Sequence, residues 1–182
     1  MRKAMQNAMI FVLSIAMIFG LFSCSCRLEE SYKEFNIKGL TNNVDDNYFT
    51  SDDFSFARIE NVVITLEVKA INHEEYIIYT AAYSKTGNEI VRIENVSIKE
   101  KDTVLVYKEV GNIIEFVQQD SNSLYMGYVN AGTFTEEDVT VEHGKKYDII
   151  VEAAVCDNGL NVSKTLTYEV EIIQYMSWVW PT

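Results

Sequence analysis

Between Val62 and Ala70 the chain alternates. Val62, Ile64, Leu66, Val68 and Ala70 are apolar, whereas Thr65, Glu67 and Lys69 are polar. Successive side chains on an extended strand point to opposite faces, so a period of two marks a strand with one buried and one wet face. Such a strand needs neighbours and a second layer over its apolar side. Further strand-like runs follow at 76–84, 90–98, 103–110, 113–118, 124–129, 139–141, 147–155 and 163–173. The breaks between them are rich in turn formers: Asn72-His73-Glu74-Glu75, Lys99-Glu100-Lys101-Asp102, Gly111-Asn112, Asp120-Ser121-Asn122-Ser123 and Glu142-His143-Gly144-Lys145. Lys85-Thr86-Gly87-Asn88-Glu89 reads as a hairpin signal. No long helical stripe intervenes, so residues 54–182 are expected to form an all-β, antiparallel sandwich or barrel. A hydrophobic content of 48% is enough to build its core and too high for a disordered chain.

The start of the chain follows another rule. Residues 1–7 carry Arg2 and Lys3, and residues 8–22 are almost wholly apolar. A bilayer span wants roughly 20 apolar residues, whereas a secretory core needs about 7–15. The apolar run ends in Leu21-Phe22-Ser23-Cys24. This resembles the lipobox of bacterial lipoproteins, with an aliphatic residue three before the cysteine and a small residue just before it. The resemblance covers the first 24 residues. It implies a signal peptide over 1–23, cleavage before Cys24, covalent lipid on that thiol as the only attached group, and export to the bacterial cell membrane or outer membrane. Ser25 in the next position would permit the outer membrane.

Residues 24–53 read as the lipidated cysteine and an acidic tether. Glu29, Glu30, Glu34, Asp45, Asp46, Asp52 and Asp53 fall there without sustained periodicity. The whole chain has a net charge of −12, and loss of Arg2 and Lys3 with the leader leaves 13 basic against 27 acidic side chains. Such a surface repels phosphate, which excludes nucleic acid as a partner. The partners expected are the membrane, through the lipid, and a protein or a glycan. With Cys24 assigned to lipid, Cys26 and Cys156 can pair in an oxidising compartment, or Cys156 can serve as a small buried apolar residue.

The segment Val139-Thr140-Val141-Glu142-His143-Gly144-Lys145-Lys146-Tyr147-Asp148-Ile149 resembles the corner before strand F of fibronectin type III and related immunoglobulin-like domains. The resemblance covers residues 139–173. It implies an antiparallel immunoglobulin-like β-sandwich over residues 54–182, in which Tyr147 opens a strand and bonds back to the preceding backbone and Asp157-Asn158-Gly159 forms the next hairpin tip. An ordinary hairpin with Tyr147 on the surface is the alternative.

Catalytic chemistry finds little to stand on. His73 and His143 both fall in predicted turns, and no nucleophile elbow, zinc helix, Cys-x-x-Cys pair or phosphate loop occurs. Glu74/Glu75 and Glu136/Glu137 are adjacent, so on a strand each pair would point to opposite faces. Asp45-Asp46-Asn47 with Asp52-Asp53, and Asp157-Asn158, supply oxygen ligands but lack the spacing of a calcium loop, so no metal is expected. At the C-terminus Met176, Trp178 and Trp180 alternate with Tyr175 and Val179. They either close the core as a last strand or offer Trp178 and Trp180 as a binding surface. The expectation is a membrane-anchored, non-enzymatic binding or structural module of the cell envelope. The alternative is an accessory subunit of an envelope or surface-assembly complex.

Overall fold

A computed structural model describes residues 28–40, 44–72, 74–119 and 124–178, with side chains from Lys33 to Tyr175. It divides into two compact units, Met1–Tyr32 with Tyr175–Thr182, and Lys33–Gln174. Of the first, the strand residues 28–32 and 175–178 are described. The second holds the sandwich.

Ten strands are described: β1 (Leu28–Ile37), β2 (Arg58–Ile59), β3 (Val62–Ala70), β4 (Glu75–Ser84), β5 (Ile90–Glu100), β6 (Thr103–Ile114), β7 (Val117–Gln118), β8 (Tyr125–Thr135), β9 (Lys146–Asp157) and β10 (Leu160–Trp178). A short helix α1 (Asp46–Thr50) and a 3₁₀ turn (Asp52–Ala57) precede β2. One sheet has the order β1-β10-β9-β5-β6, the other β2-β3-β4-β8-β7. The protein is an all-β sandwich of two antiparallel sheets. The chain changes sheet between β1 and β2, between β4 and β5, between β6 and β7, and between β8 and β9.

The core follows from the alternation. Val62, Ile64 and Leu66 of β3, and Tyr76, Ile78 and Ala82 of β4, face Val151, Ala153 and Val155 of β9 and Leu166, Tyr168 and Val170 of β10. The Tyr168 side chain is fully buried, and its hydroxyl donates to the Ile64 carbonyl across the sandwich at 2.7 Å. In β5 the inward residues are Val91 and Ile93, then Val96 and Ile98. The step in parity is a bulge at Glu94, where β5 slips by one residue against β9. A second bulge lies in β8, where Ile78 opposes Gly132 but Tyr79 opposes Asn130. The Asn130 side chain accepts from the Gly132 N–H at 2.8 Å, and Gly132 adopts φ +136°, which L side chains avoid.

Several expectations require correction. The flexible tether expected over 24–53 is not what residues 33–57 form. Phe35 and Ile37 turn into the core while Glu34 and Asn36 stay exposed, and the Lys38 N–H donates to the Glu169 carbonyl at 2.9 Å. Val44 and Tyr48 are buried against Val63, and Tyr48 stacks on Phe54 at 3.9 Å. Lys164 holds the Ser55 and Arg58 carbonyls at 2.8 and 2.9 Å. Glu34, Asp45, Asp46, Asp52 and Asp53 are the solvent side of this segment: Asp45 caps α1 and Asp46 pairs with Lys85 at 2.7 Å. The compact unit thus runs from Lys33 to Gln174 instead of 54–182.

The segment expected as a hairpin at residues 85–89 is instead a corner between the sheets. Glu89 is buried there and accepts from Ser84 at 2.5 Å and Thr86 at 2.9 Å. Gly111 and Asn112 do not break a strand; they lie within β6 at its irregular register with β5. Residues 139–141 form no strand, but Val139 and Val141 are buried in the β8–β9 connection.

Candidate binding site on a tyrosine-lined cleft

The outward residues of β4 are Ile77, Tyr79, Ala81 and Tyr83, all half-buried. Cross-strand register fixes their neighbours. Tyr79 lies between Glu67 and Asn130, Ala81 between Thr65 and Tyr128, and Tyr83 between Val63 and Met126. Ala81, the smallest of these side chains, therefore forms a low point between tyrosines on two strands. Tyr128 stands 67% exposed beside it. Such rows are the unit from which a sheet face is built, and their spacing is held by the ladder rather than by loops.

The polar groups at this hollow are matched. Lys69 Nζ lies 3.0 Å from the Glu67 carboxylate and 5.6 Å from the centre of the Tyr79 ring. Their charges cancel locally. Burial pushes the Tyr83 phenol above the ordinary value, and the neighbouring Thr65 hydroxyl opposes that shift. The hollow continues around β3. The second strand of that edge, β2, pairs only with Val62 and Val63. Beyond that point a cleft of 690 Å³ opens between β3 and β1, lined by Glu34, Phe35, Asn36, Ile37, Leu66 and Val68 as well as the outward tyrosines. A second, shallower concavity of 490 Å³ lies at the β5 bulge, between Glu94, Asn95, Tyr107 and Glu109. Asn95 there donates to Glu152 at 2.6 Å.

Cys24, Cys26 and Trp180 lie outside the described residues, as does the leader over 1–23. Trp178 ends β10, but its side chain is also outside. Cys156 is half-buried, opposite Ile90 and Asn161, and is a free thiol among the described residues. Tyr147 is buried at the start of β9, and its hydroxyl donates to the Thr140 carbonyl, seven residues back, at 2.5 Å. Burial raises its phenol pKa, and Glu100 and Glu142 nearby add to the shift. Asn158 and Gly159 form the β9–β10 tip, both with positive φ, as a two-residue hairpin of primed type requires.

The carboxylates singled out in the sequence have structural neighbours. Glu136 accepts from Lys33 and from the Tyr76 hydroxyl, and these contacts hold its carboxyl below the ordinary value, Lys33 foremost. Glu74 and Glu137 are exposed. His143 accepts the Gln174 N–H at 3.1 Å, while His73 is outside the described residues. Among the described residues no three His, Cys, Asp or Glu side chains gather as a metal site would need. The tyrosine hollow is the feature that sequence reading missed. Tyr79 and Tyr83 share parity with Ala81, a signal that could have grouped them.

No protein-family model matches the chain, and neither the curated proteins nor the solved structures contain a match to it.

Proposed function

We propose that this chain is a lipoprotein of the bacterial cell envelope, cut before Cys24 and anchored by lipid on that residue, whose sandwich acts as a non-catalytic binding module. The observation that carries the reading is the join of a basic start and the apolar run 8–22 to Leu21-Phe22-Ser23-Cys24. A single acyl chain binds membranes only marginally at ~0.8 kcal/mol per buried methylene, so stable anchoring asks for several chains on the cysteine. A chain with a net charge of −12 gains little from anionic lipid, so the anchor must come from the acyl chains.

The domain suits such a role. The reading of a fibronectin type III-like module is supported by strands β3, β4 and β8 lying in one sheet, β6, β5, β9 and β10 in the other, and by the tyrosine that bonds back at the start of β9. Many functions use that scaffold, so the fold alone selects none. The tyrosine-lined cleft favours binding, because aromatic rings beside a few polar groups are what a recognition surface needs.

Intact-mass measurement of the protein extracted from membranes tests the anchor. The expected species begins at Cys24 and carries the added mass of acyl chains. An unmodified Cys24 overturns the reading.

A further inference from the structure

We propose that the hollow over Ala81 is a binding site for neutral oligosaccharides. The inference deepens the binding-module reading and rests on it.

Three properties of the hollow select this ligand. The first is its walls. Tyr79 and Tyr83 flank Ala81 on β4, and Tyr128 stands directly across from it on β8. Pyranose rings present apolar C–H faces that lie flat on an aromatic ring, and removing those faces from water is favourable. Alanine at the floor leaves room for the sugar where a larger side chain would fill the gap. The second is the polar set. Glu67, Lys69 and Thr65 border the same hollow, so acceptors, donors and a hydroxyl all meet a ligand that carries both donors and acceptors.

The third property is charge. Glu67 and Lys69 neutralise one another at 3.0 Å and the remaining charged side chain on the lining is Glu34, so the site offers no net positive charge to attract an anion. Around it the chain carries −12, which disfavours sulfated, phosphorylated or uronic acid sugars. A ligand rich in hydroxyls and free of charge fits both conditions. The site also sits on paired strands, which hold the rings at fixed spacing without the entropy cost of ordering loops.

The test uses the full acylated chain in a detergent without a sugar headgroup. It is probed with arrayed short fragments of neutral β-glucan, α-glucan, xylan and mannan, alongside acidic glycans and unfolded casein. Binding to at least one neutral fragment is expected. Tyr128→Ala and Tyr79→Ala should each weaken it roughly tenfold, the scale of one well-placed contact. Ala81→Trp, which fills the floor, should abolish it, while Tyr107→Ala on the other sheet leaves it unchanged. Thermal melting of each variant shows whether it folds, and Tyr128→Ala at an exposed position is the variant on which the conclusion rests. Binding only to acidic glycans, or only to casein, overturns the proposal. So does neutral-glycan binding that survives both tyrosine substitutions in folded protein. A protein acylated at Cys24 that binds no glycan overturns the sugar assignment and leaves the anchored-module reading standing.

Discussion

Thr80 sits in the middle of β4 with its hydroxyl facing the core, fully buried and without a hydrogen-bond partner among the described residues. A hydroxyl taken from water and left unpaired costs about 1–3 kcal/mol, whereas its methyl group packs like that of valine. Thr80→Val is therefore expected to stabilise the domain by about 1 kcal/mol, read as a rise in thermal midpoint of a few degrees. Tyr168 is the opposite case, an equally buried hydroxyl whose bond is made. Its burial raises the phenol pKa above the ordinary 10.0. A group raised on folding contributes fully below its unfolded pKa, and that stability is lost as pH climbs toward the folded value. Melting temperature should thus fall steadily above pH 10. Tyr168→Phe should flatten that fall while lowering stability near neutrality by about 1–3 kcal/mol, because the Ile64 carbonyl is left unpaired. An unchanged alkaline slope would remove Tyr168 as its source.

Gly127 shows how one element constrains another. On β8 it lies under the chain leaving β6, and a Cβ there would stand 2.2 Å from the Glu115 carbonyl oxygen. The obstacle is backbone, which cannot rotate aside. Gly127→Ala should destabilise the fold by about 1–3 kcal/mol, measured by denaturant midpoint, through displacement of the β6–β7 link. The same scale explains what could be read in advance. β3 was legible through its middle, from Ile64 to Lys69, because its two faces differ in polarity there, whereas Val63, on the outward parity, is buried under Val44 and Tyr48. β4 was legible as a strand but not as a surface. Its inward set of Tyr76, Ile78, Thr80, Ala82 and Ser84 is no more apolar than its outward set of Ile77, Tyr79, Ala81 and Tyr83, so nothing in the pattern says which side is wet. β1 was hidden because only Phe35 and Ile37 alternate with polar residues before the run ends, too short a signal amid acidic neighbours. The bulge at Glu94 was present as a phase change, with Ile93 and Val96 separated by two polar residues.

At the scale of the domain, Glu136 on the β8–β9 connection joins Lys33 of β1 to Tyr76 of β4, beside the packed rings of Phe35, Tyr76 and Phe134. Its carboxyl pKa is lowered from 4.5, mainly by Lys33. A group lowered on folding contributes above its unfolded pKa and loses that contribution as pH falls through the folded value. Stability should therefore drop as pH falls below about 4.5, and Glu136→Gln should make that acid limb shallower in pH-dependent melting. An identical acid limb in the variant would show that the junction carries none of it. The all-β class was readable from turn spacing, which left sandwich and barrel both open, but the pairing of β1 with β10 was not, since local pattern does not encode which distant strand completes a sheet. That pairing has a consequence in time. A chain made or exported from its first residue onward presents β1 before β10 exists. Phe35 and Ile37 must wait through more than a hundred residues of delivery for their neighbour, so this sheet can be completed only after β10 has emerged. Truncation after β9 would strand the beginning of the domain along with its end.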